Sequence, residues 1–137
     1  AALNFFGAEV YYYSRTKKDD VQATYLPLND LMETCEIVIG CLNKNVKIVD
    51  REAMRHFGND KILVNIAIGP FMEPEVLREW LDYAGNWYIC DELWGLGDES
   101  LGLRANVICP EKSAGTSTQL VGRYNKKILE NIEAFLG

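Results

Sequence analysis

The sequence predicts an α/β fold built on a parallel sheet, and three observations carry that expectation. Short apolar runs rich in β-branched and aromatic residues alternate with segments of helical period along the chain. No internal repeat or low-complexity linker breaks the alternation, which is the pattern of strands joined by helices. At 137 residues, with 48% of them hydrophobic, the chain has the length and composition for one domain with a sizeable core, residues 1–137.

The elements follow in order. Strands are expected near 8–13, 24–26, 36–41, 61–66, 86–90 and 105–109, where Val, Ile, Tyr and Trp cluster between turn signals. Helices are expected near 28–34, 51–57, 74–84 and 117–135. Asp50 and Gly58 bracket the second helix as N-cap and C-terminal stop, and Pro74 suits the first turn of the third, with Gly85 as its stop. The last helix carries Leu120, Tyr124, Ile128, Ile132 and Phe135 at helical spacing, so one stripe is expected to dock on the sheet.

Composition narrows the function. Acidic residues outnumber basic ones by 20 to 14, and the lysines and arginines are scattered rather than striped, which argues against a nucleic-acid surface. Neither a signal peptide nor a run long enough to span a bilayer is evident. Cys35, Cys41, Cys90 and Cys109 form no Cys-x-x-Cys pair and read as reduced core residues of a cytoplasmic protein, with no metal site. His56 reads as a surface or half-buried helix residue rather than a catalyst.

Three places carry possible chemistry. Tyr13-Ser14-Arg15-Thr16-Lys17-Lys18 follows the first strand and offers a hydroxyl, a guanidinium and two ammonium groups but no acid. In dinucleotide domains an acid at that point binds the adenosine ribose, whereas an arginine accommodates a 2′-phosphate, so NADP is favoured over NAD if a dinucleotide binds. The alternative is a solvated basic loop. Asp91 directly follows the apolar run Trp87–Cys90, where strand ends in such sheets face a ligand crevice. Val64-Asn65-Ile66-Ala67-Ile68-Gly69-Pro70 leaves a buried strand through a Gly-Pro loop before a helix.

Read together, these segments resemble the nucleotide-binding domain of the D-isomer-specific 2-hydroxyacid dehydrogenases, of glyoxylate/hydroxypyruvate reductase type. Phe6-Gly7-Ala8-Glu9-Val10-Tyr11-Tyr12-Tyr13-Ser14-Arg15 is similar to the family's second nucleotide-domain strand. Pro27–Met32 and Glu36–Leu42 resemble the helix and strand that reach the adenosine side of the cofactor. Gly69–Leu77 is similar to the helix start after the substrate-arginine loop, and Asn106–Pro110 with Ala114-Gly115-Thr116 resembles the turn that normally carries the catalytic histidine. The resemblance implies a Rossmann-like doubly wound sheet and NADP or NAD as cofactor. It places Ser14, Arg15, Thr16, Cys41, Leu42, Asn43, Ile66, Ala67 and Asp91 along the cofactor crevice.

The departures from that pattern are as informative. The family's substrate-binding arginine is Ile68 here, and its catalytic histidine is Glu111. The glutamate position falls on Leu96, with Asp98 and Glu99 a small shift away. No Gly-x-Gly-x-x-Gly turn occurs anywhere in the chain, so backbone amides have no glycine cradle in which to approach a diphosphate. The first strand that precedes that turn in the family has no counterpart either. In the strand order 3-2-1-4-5-6 it is central, and its absence leaves the 8–13 and 36–41 strands without the neighbour between them. Three readings stay open: a catalytically degenerate dinucleotide-binding domain; an interaction module completed by a partner or by self-association; and an NADP-dependent 2-oxo acid reductase with relocated catalytic residues, or a fragment of one.

Overall fold

The computed structural model describes residues 2–44, 46–113, 115 and 117–137. Its order is α1 (Ala2–Phe5), β1 (Tyr11–Tyr12), β2 (Thr24–Tyr25), α2 (Leu28–Thr34), β3 (Ile37–Gly40), α3 (Arg51–Phe57), β4 (Ile62–Asn65), α4 (Pro74–Leu81), β5 (Trp87–Cys90), β6 (Val107–Ile108) and α5 (Leu120–Leu136). Two 3-10 turns, Leu93–Leu96 and Glu99–Leu103, lie between β5 and β6. The strands form two parallel sheets, β1-β2 and β3-β4-β5-β6. This is the expected α/β fold with the expected gap between β1 and β3.

Local signals set the helix boundaries. Asp50 caps α3 by accepting a hydrogen bond from the Ala53 amide at 2.9 Å, and Gly58 ends it with φ 70°. Pro74 opens α4, where its missing N–H costs no hydrogen bond. That helix stops at Leu81, before the expected Gly85, and the chain turns into β5 through Asn86. The Asn86 amide donates to the Trp80 carbonyl at 2.8 Å, and Trp80 Nε1 donates to the Gly58 carbonyl at 2.7 Å, so the C-terminal ends of α3 and α4 are tied to each other and to the turn into β5. β1 is shorter than the expected 8–13 because its pairing with β2 covers only Tyr11 opposite Thr24 and Tyr12 opposite Tyr25.

The core lies on one face of the larger sheet. Val38, Leu63, Tyr88 and Val107 stand in register across the four strands, packing with Leu31 and Met32 of α2, Met54 and Phe57 of α3, and Leu77, Trp80 and Leu81 of α4. Gly40 admits the Phe71 ring, since a Cβ there would sit 2.6 Å from it. The opposite face carries Ile37, Ile39, Trp87 and Ile108, all exposed, with Ile62, Val64 and Ile89 half-buried beside them.

Two sequence expectations fail. The α5 stripe does not dock on its own sheet: every residue from 117 to 137 is exposed, and none of the helix is buried. Helical period identifies an apolar stripe but not the surface it meets. The segment after β6 is held to the end of β5 by a 2.9 Å hydrogen bond from the Lys112 amide to the Asp91 carbonyl. The cysteines are not all core residues either. All four are free thiols, but only Cys90 is buried, while Cys41 stands exposed just past the end of β3.

Candidate crevice at the carboxyl ends of the strands

Because β3 to β6 run parallel, the segments following them emerge along one edge of the sheet: Cys41–Asn43, Ile66–Gly69, Asp91–Glu92 and Cys109–Lys112. Side chains and amides from separate strands can therefore meet one extended ligand along that edge.

Asn65 organises the middle of it. It is the last residue of β4 and is 1% exposed, so each of its polar atoms needs a partner. Its Oδ1 accepts from the Ala67 amide at 2.8 Å, and its Nδ2 donates to the carbonyls of Gly69 at 3.1 Å and Gly95 at 3.0 Å. The Tyr88 hydroxyl donates to the same Gly95 carbonyl at 3.1 Å. One buried amide thus fixes the loop after β4 against the 3-10 turn after β5. Burial pushes the Tyr88 hydroxyl far above its ordinary range, so it remains a neutral donor. Sequence reasoning placed Asn65 in the loop motif but did not single it out; the signal was an amide closing an apolar strand.

This clamp leaves Ala67 buried and turns Ile66 and Ile68 outward, 55% and 58% exposed. At Ile68 the crevice therefore presents a branched alkyl group, which cannot make the two parallel charge-assisted hydrogen bonds that an arginine makes to a carboxylate. Glu111 is exposed and left-handed, with φ 52°. It lies in the tight turn brought beside Asp91 by the Lys112 amide. Asp91 itself is half-buried. Ala114 and Thr116 of the same turn lie outside the described residues.

The Ser14–Thr16 segment follows β1, on the smaller sheet. The Ser14 hydroxyl donates to the Thr16 carbonyl at 2.7 Å. The Tyr12 hydroxyl donates to the Lys18 carbonyl at 2.8 Å and accepts from the Lys18 amide at 2.9 Å, which closes the turn. Arg15 is exposed at its tip and, among the described residues, enters no ion pair. Its five donors face solvent. Cys41 and Asn43 are exposed and Leu42 half-buried, and Leu42 packs against the core.

The remaining candidates do not join the crevice. His56 Nδ1 lies 3.5 Å from Glu33 on the outer surface of the α2–α3 layer, the surface role expected of it. Asp98 caps the second 3-10 turn by accepting from the Ser100 amide at 2.9 Å and also pairs with Arg78, so it is committed to structure. Leu96 is fully buried. No group of three metal-ligating side chains occurs among the described residues. Two open concavities, of about 650 Å³ beside Asn4, Glu9 and Gln22 and about 600 Å³ beside Lys47, Arg51 and Glu73, lie away from the strand ends and hold none of the crevice residues.

Arg15 is an exposed cation three residues past β1, the Ser14 hydroxyl is engaged by the Thr16 carbonyl, and Asp91 stands half-buried just past β5.

Comparison with known proteins agrees with the fold. Residues 1–85 match the D-isomer specific 2-hydroxyacid dehydrogenase NAD binding domain. Glyoxylate/hydroxypyruvate reductase A of Arabidopsis thaliana is 31% identical over 119 residues, covering 81% of this chain and 38% of that protein. Among solved structures, the NADPH-dependent glyoxylate/hydroxypyruvate reductase of Sinorhizobium meliloti, in complex with NADP and malonate, superposes with a TM-score of 0.79 at 20% identity, covering 99% of this chain and 45% of that one. An acyclic imino acid reductase in complex with NADPH and D-Arg gives 0.82 at 19% identity, covering 98% and 45%. The chain spans less than half the length of each of these relatives. Through its NAD-binding domain, the chain belongs to the D-isomer specific 2-hydroxyacid dehydrogenase family.

Proposed function

We propose that this domain binds a dinucleotide with a preference for NADP and is catalytically degenerate toward 2-hydroxy acids. The observation that carries the reading is Arg15, exposed and without an ion pair among the described residues, three residues past β1 in a turn with no carboxylate to accept the ribose hydroxyls. Structures similar in fold hold NADP or NADPH in the Sinorhizobium reductase and the imino acid reductase and NAD in a D-lactate dehydrogenase of Aquifex aeolicus, so the choice between the two rests on Arg15. Ser14, Thr16, Cys41, Leu42, Asn43, Ile66, Ala67 and Asp91 would line the rest of the cofactor path. Loss of ordinary chemistry follows from Ile68 and Glu111, because neither carboxylate capture nor histidine-type proton transfer has its usual residue. Fluorescence titration with NADPH and NADH tests the reading. Tighter NADPH binding supports it, and equal affinity for the two removes it.

The split sheet favours a second reading, in which the domain works as an interaction module. Among the described residues β1 and β3 each present an unpaired strand edge, and one extended segment from a partner would join the two sheets. This reading expects a complex in which both edges gain protection from amide exchange. Unchanged exchange at Tyr11–Tyr12 and Ile37–Gly40 in every complex isolated would count against it.

A further inference from the structure

Two of the four thiols face each other across the β5–β6 ladder. Register sets Tyr88 opposite Val107 and Ile89 opposite Ile108, so one further step along both strands sets Cys90 opposite Cys109. Side chains alternate along a strand, and this pair falls on the core side of the sheet with Tyr88 and Val107: Cys90 is buried in the core, and half-buried Cys109 packs against it. Neighbouring strands lie about 4.7–4.9 Å apart, inside the roughly 4.4–6.8 Å between α-carbons that a disulfide spans. Cys109 lies just past the last paired residue of β6, so the ladder does not fix it and it can move toward Cys90. Burial, then the neighbouring Cys109, pushes the Cys90 thiol up, which reflects the same closeness. Among the described residues no other two cysteines are so placed. Cys35 precedes the four-residue β3 and Cys41 follows it, which holds them about 20 Å apart, and β4 stands between Cys41 and Cys90 at about 10 Å.

We propose that Cys90 and Cys109 form a reversible redox site, in which hydrogen peroxide converts the two facing thiols into an intrachain disulfide that ties the end of β5 to the end of β6. Cys109 is the less buried of the two, so a small oxidant meets it first. Its sulfur attacks the peroxide O–O bond and takes one oxygen as a sulfenic acid, releasing water. The Cys90 sulfur then bonds to the Cys109 sulfur, and the sulfenic hydroxyl leaves with the Cys90 proton as a second water. The two electrons given up by the sulfurs have reduced the peroxide, and a dithiol reductant returns both thiols by exchange. The bond joins the segments that carry Asp91 and Glu111, where the Lys112 amide already meets the Asp91 carbonyl, so oxidation fixes that side of the crevice. The juxtaposition is set by the ladder within one chain and does not rest on nucleotide binding.

The test treats the reduced, folded chain with hydrogen peroxide, blocks the remaining thiols with N-ethylmaleimide in denaturant, and maps linked peptides by mass spectrometry without reduction. The oxidised chain is expected to be lighter by about 2 Da, the two hydrogens lost, and dithiothreitol should restore its mass. Peptides linking Cys90 to Cys109 should outnumber every other pair by at least about tenfold, because the fold keeps the other cysteines beyond disulfide reach. In urea the preference should move to Cys35 and Cys41, only six positions apart, since the shorter loop closes more readily. Cys90→Ala, checked for folding by circular dichroism, should accumulate sulfenic acid on Cys109, trapped by dimedone at least about tenfold more than in the wild type. Four intact thiols after peroxide, oxidation confined to Cys41, or a different linked pair in the folded chain overturns the proposal. So does a Cys90–Cys109 preference that persists in urea, or equal dimedone labelling of Cys109 in variant and wild type. The wild-type peptide map decides the matter even where the variant fails to fold.

Discussion

Asn65 and Gly95 are joined by a 3.0 Å hydrogen bond from a buried side-chain amide to a carbonyl thirty residues away, and that bond couples the loop after β4 to the turn after β5. Asn65→Leu removes all three bonds of this amide and leaves the Ala67 N–H and the Gly69 carbonyl without their partner. Leaving buried polar groups unmade costs about 1–3 kcal/mol each, so a loss of about 2–4 kcal/mol in unfolding free energy is expected from urea denaturation. A change under about 0.5 kcal/mol would mean that the loops are positioned by other contacts.

Arg15→Ala is expected to weaken NADPH by roughly 10- to 100-fold, the value of one charge-assisted contact to a phosphate, and to change NADH by less than about threefold. Isothermal titration with both nucleotides reads the difference directly. Equal losses for the two would assign Arg15 to a nonspecific basic turn.

With glyoxylate or hydroxypyruvate and NADPH, the wild-type chain is expected to show no turnover above background, because Ile68 and Glu111 occupy the positions at issue. Absorbance at the nicotinamide band follows it. Turnover that disappears in Asp91→Ala or Glu111→Ala would instead establish relocated catalytic residues.

Asp98 gives a prediction about pH. Hydrogen bonds from Ser100, then the charge of Arg78, hold its carboxyl below the ordinary carboxylate range. A folded-state value below the unfolded one adds stability that is present above the unfolded value and lost as pH falls through the folded one. Asp98→Asn should therefore flatten the acid side of the stability profile below the ordinary carboxylate range while leaving its slope near neutrality unchanged. Thermal melts across acidic buffers test this; parallel profiles for variant and wild type would show that Asp98 has no such linkage.

Thiol labelling should separate the cysteines. Burial, then its neighbour Cys109, pushes the Cys90 thiol up to about 12, so it should resist alkylation until the chain unfolds. Cys41 is exposed and should be modified first. Mass spectrometry of partly labelled protein gives the order, and early labelling of Cys90 would show that the β5–β6 edge opens readily.

Much of the fold was legible because its signals are local. Asp50, Gly58 and Pro74 mark helix ends through hydrogen-bond geometry that involves only their neighbours, and α2 and α3 span the expected residues. The 3-10 turns at 93–103 were missed because short Leu-Gly segments carry no period. The fate of α5 was misread because a stripe states what it buries, not against which body. At the crevice, the positions of Ile68, Asp91 and Glu111 followed from strand ends and loop resemblance. The clamp by Asn65 was hidden because its partners, Gly69 and Gly95, come from different loops.

The most direct test of the central claim is a fluorescence titration of the purified chain with NADPH and, in parallel, NADH. Micromolar binding that favours NADPH is the predicted result. Failure to bind either nucleotide, or tighter binding of NADH, would contradict it.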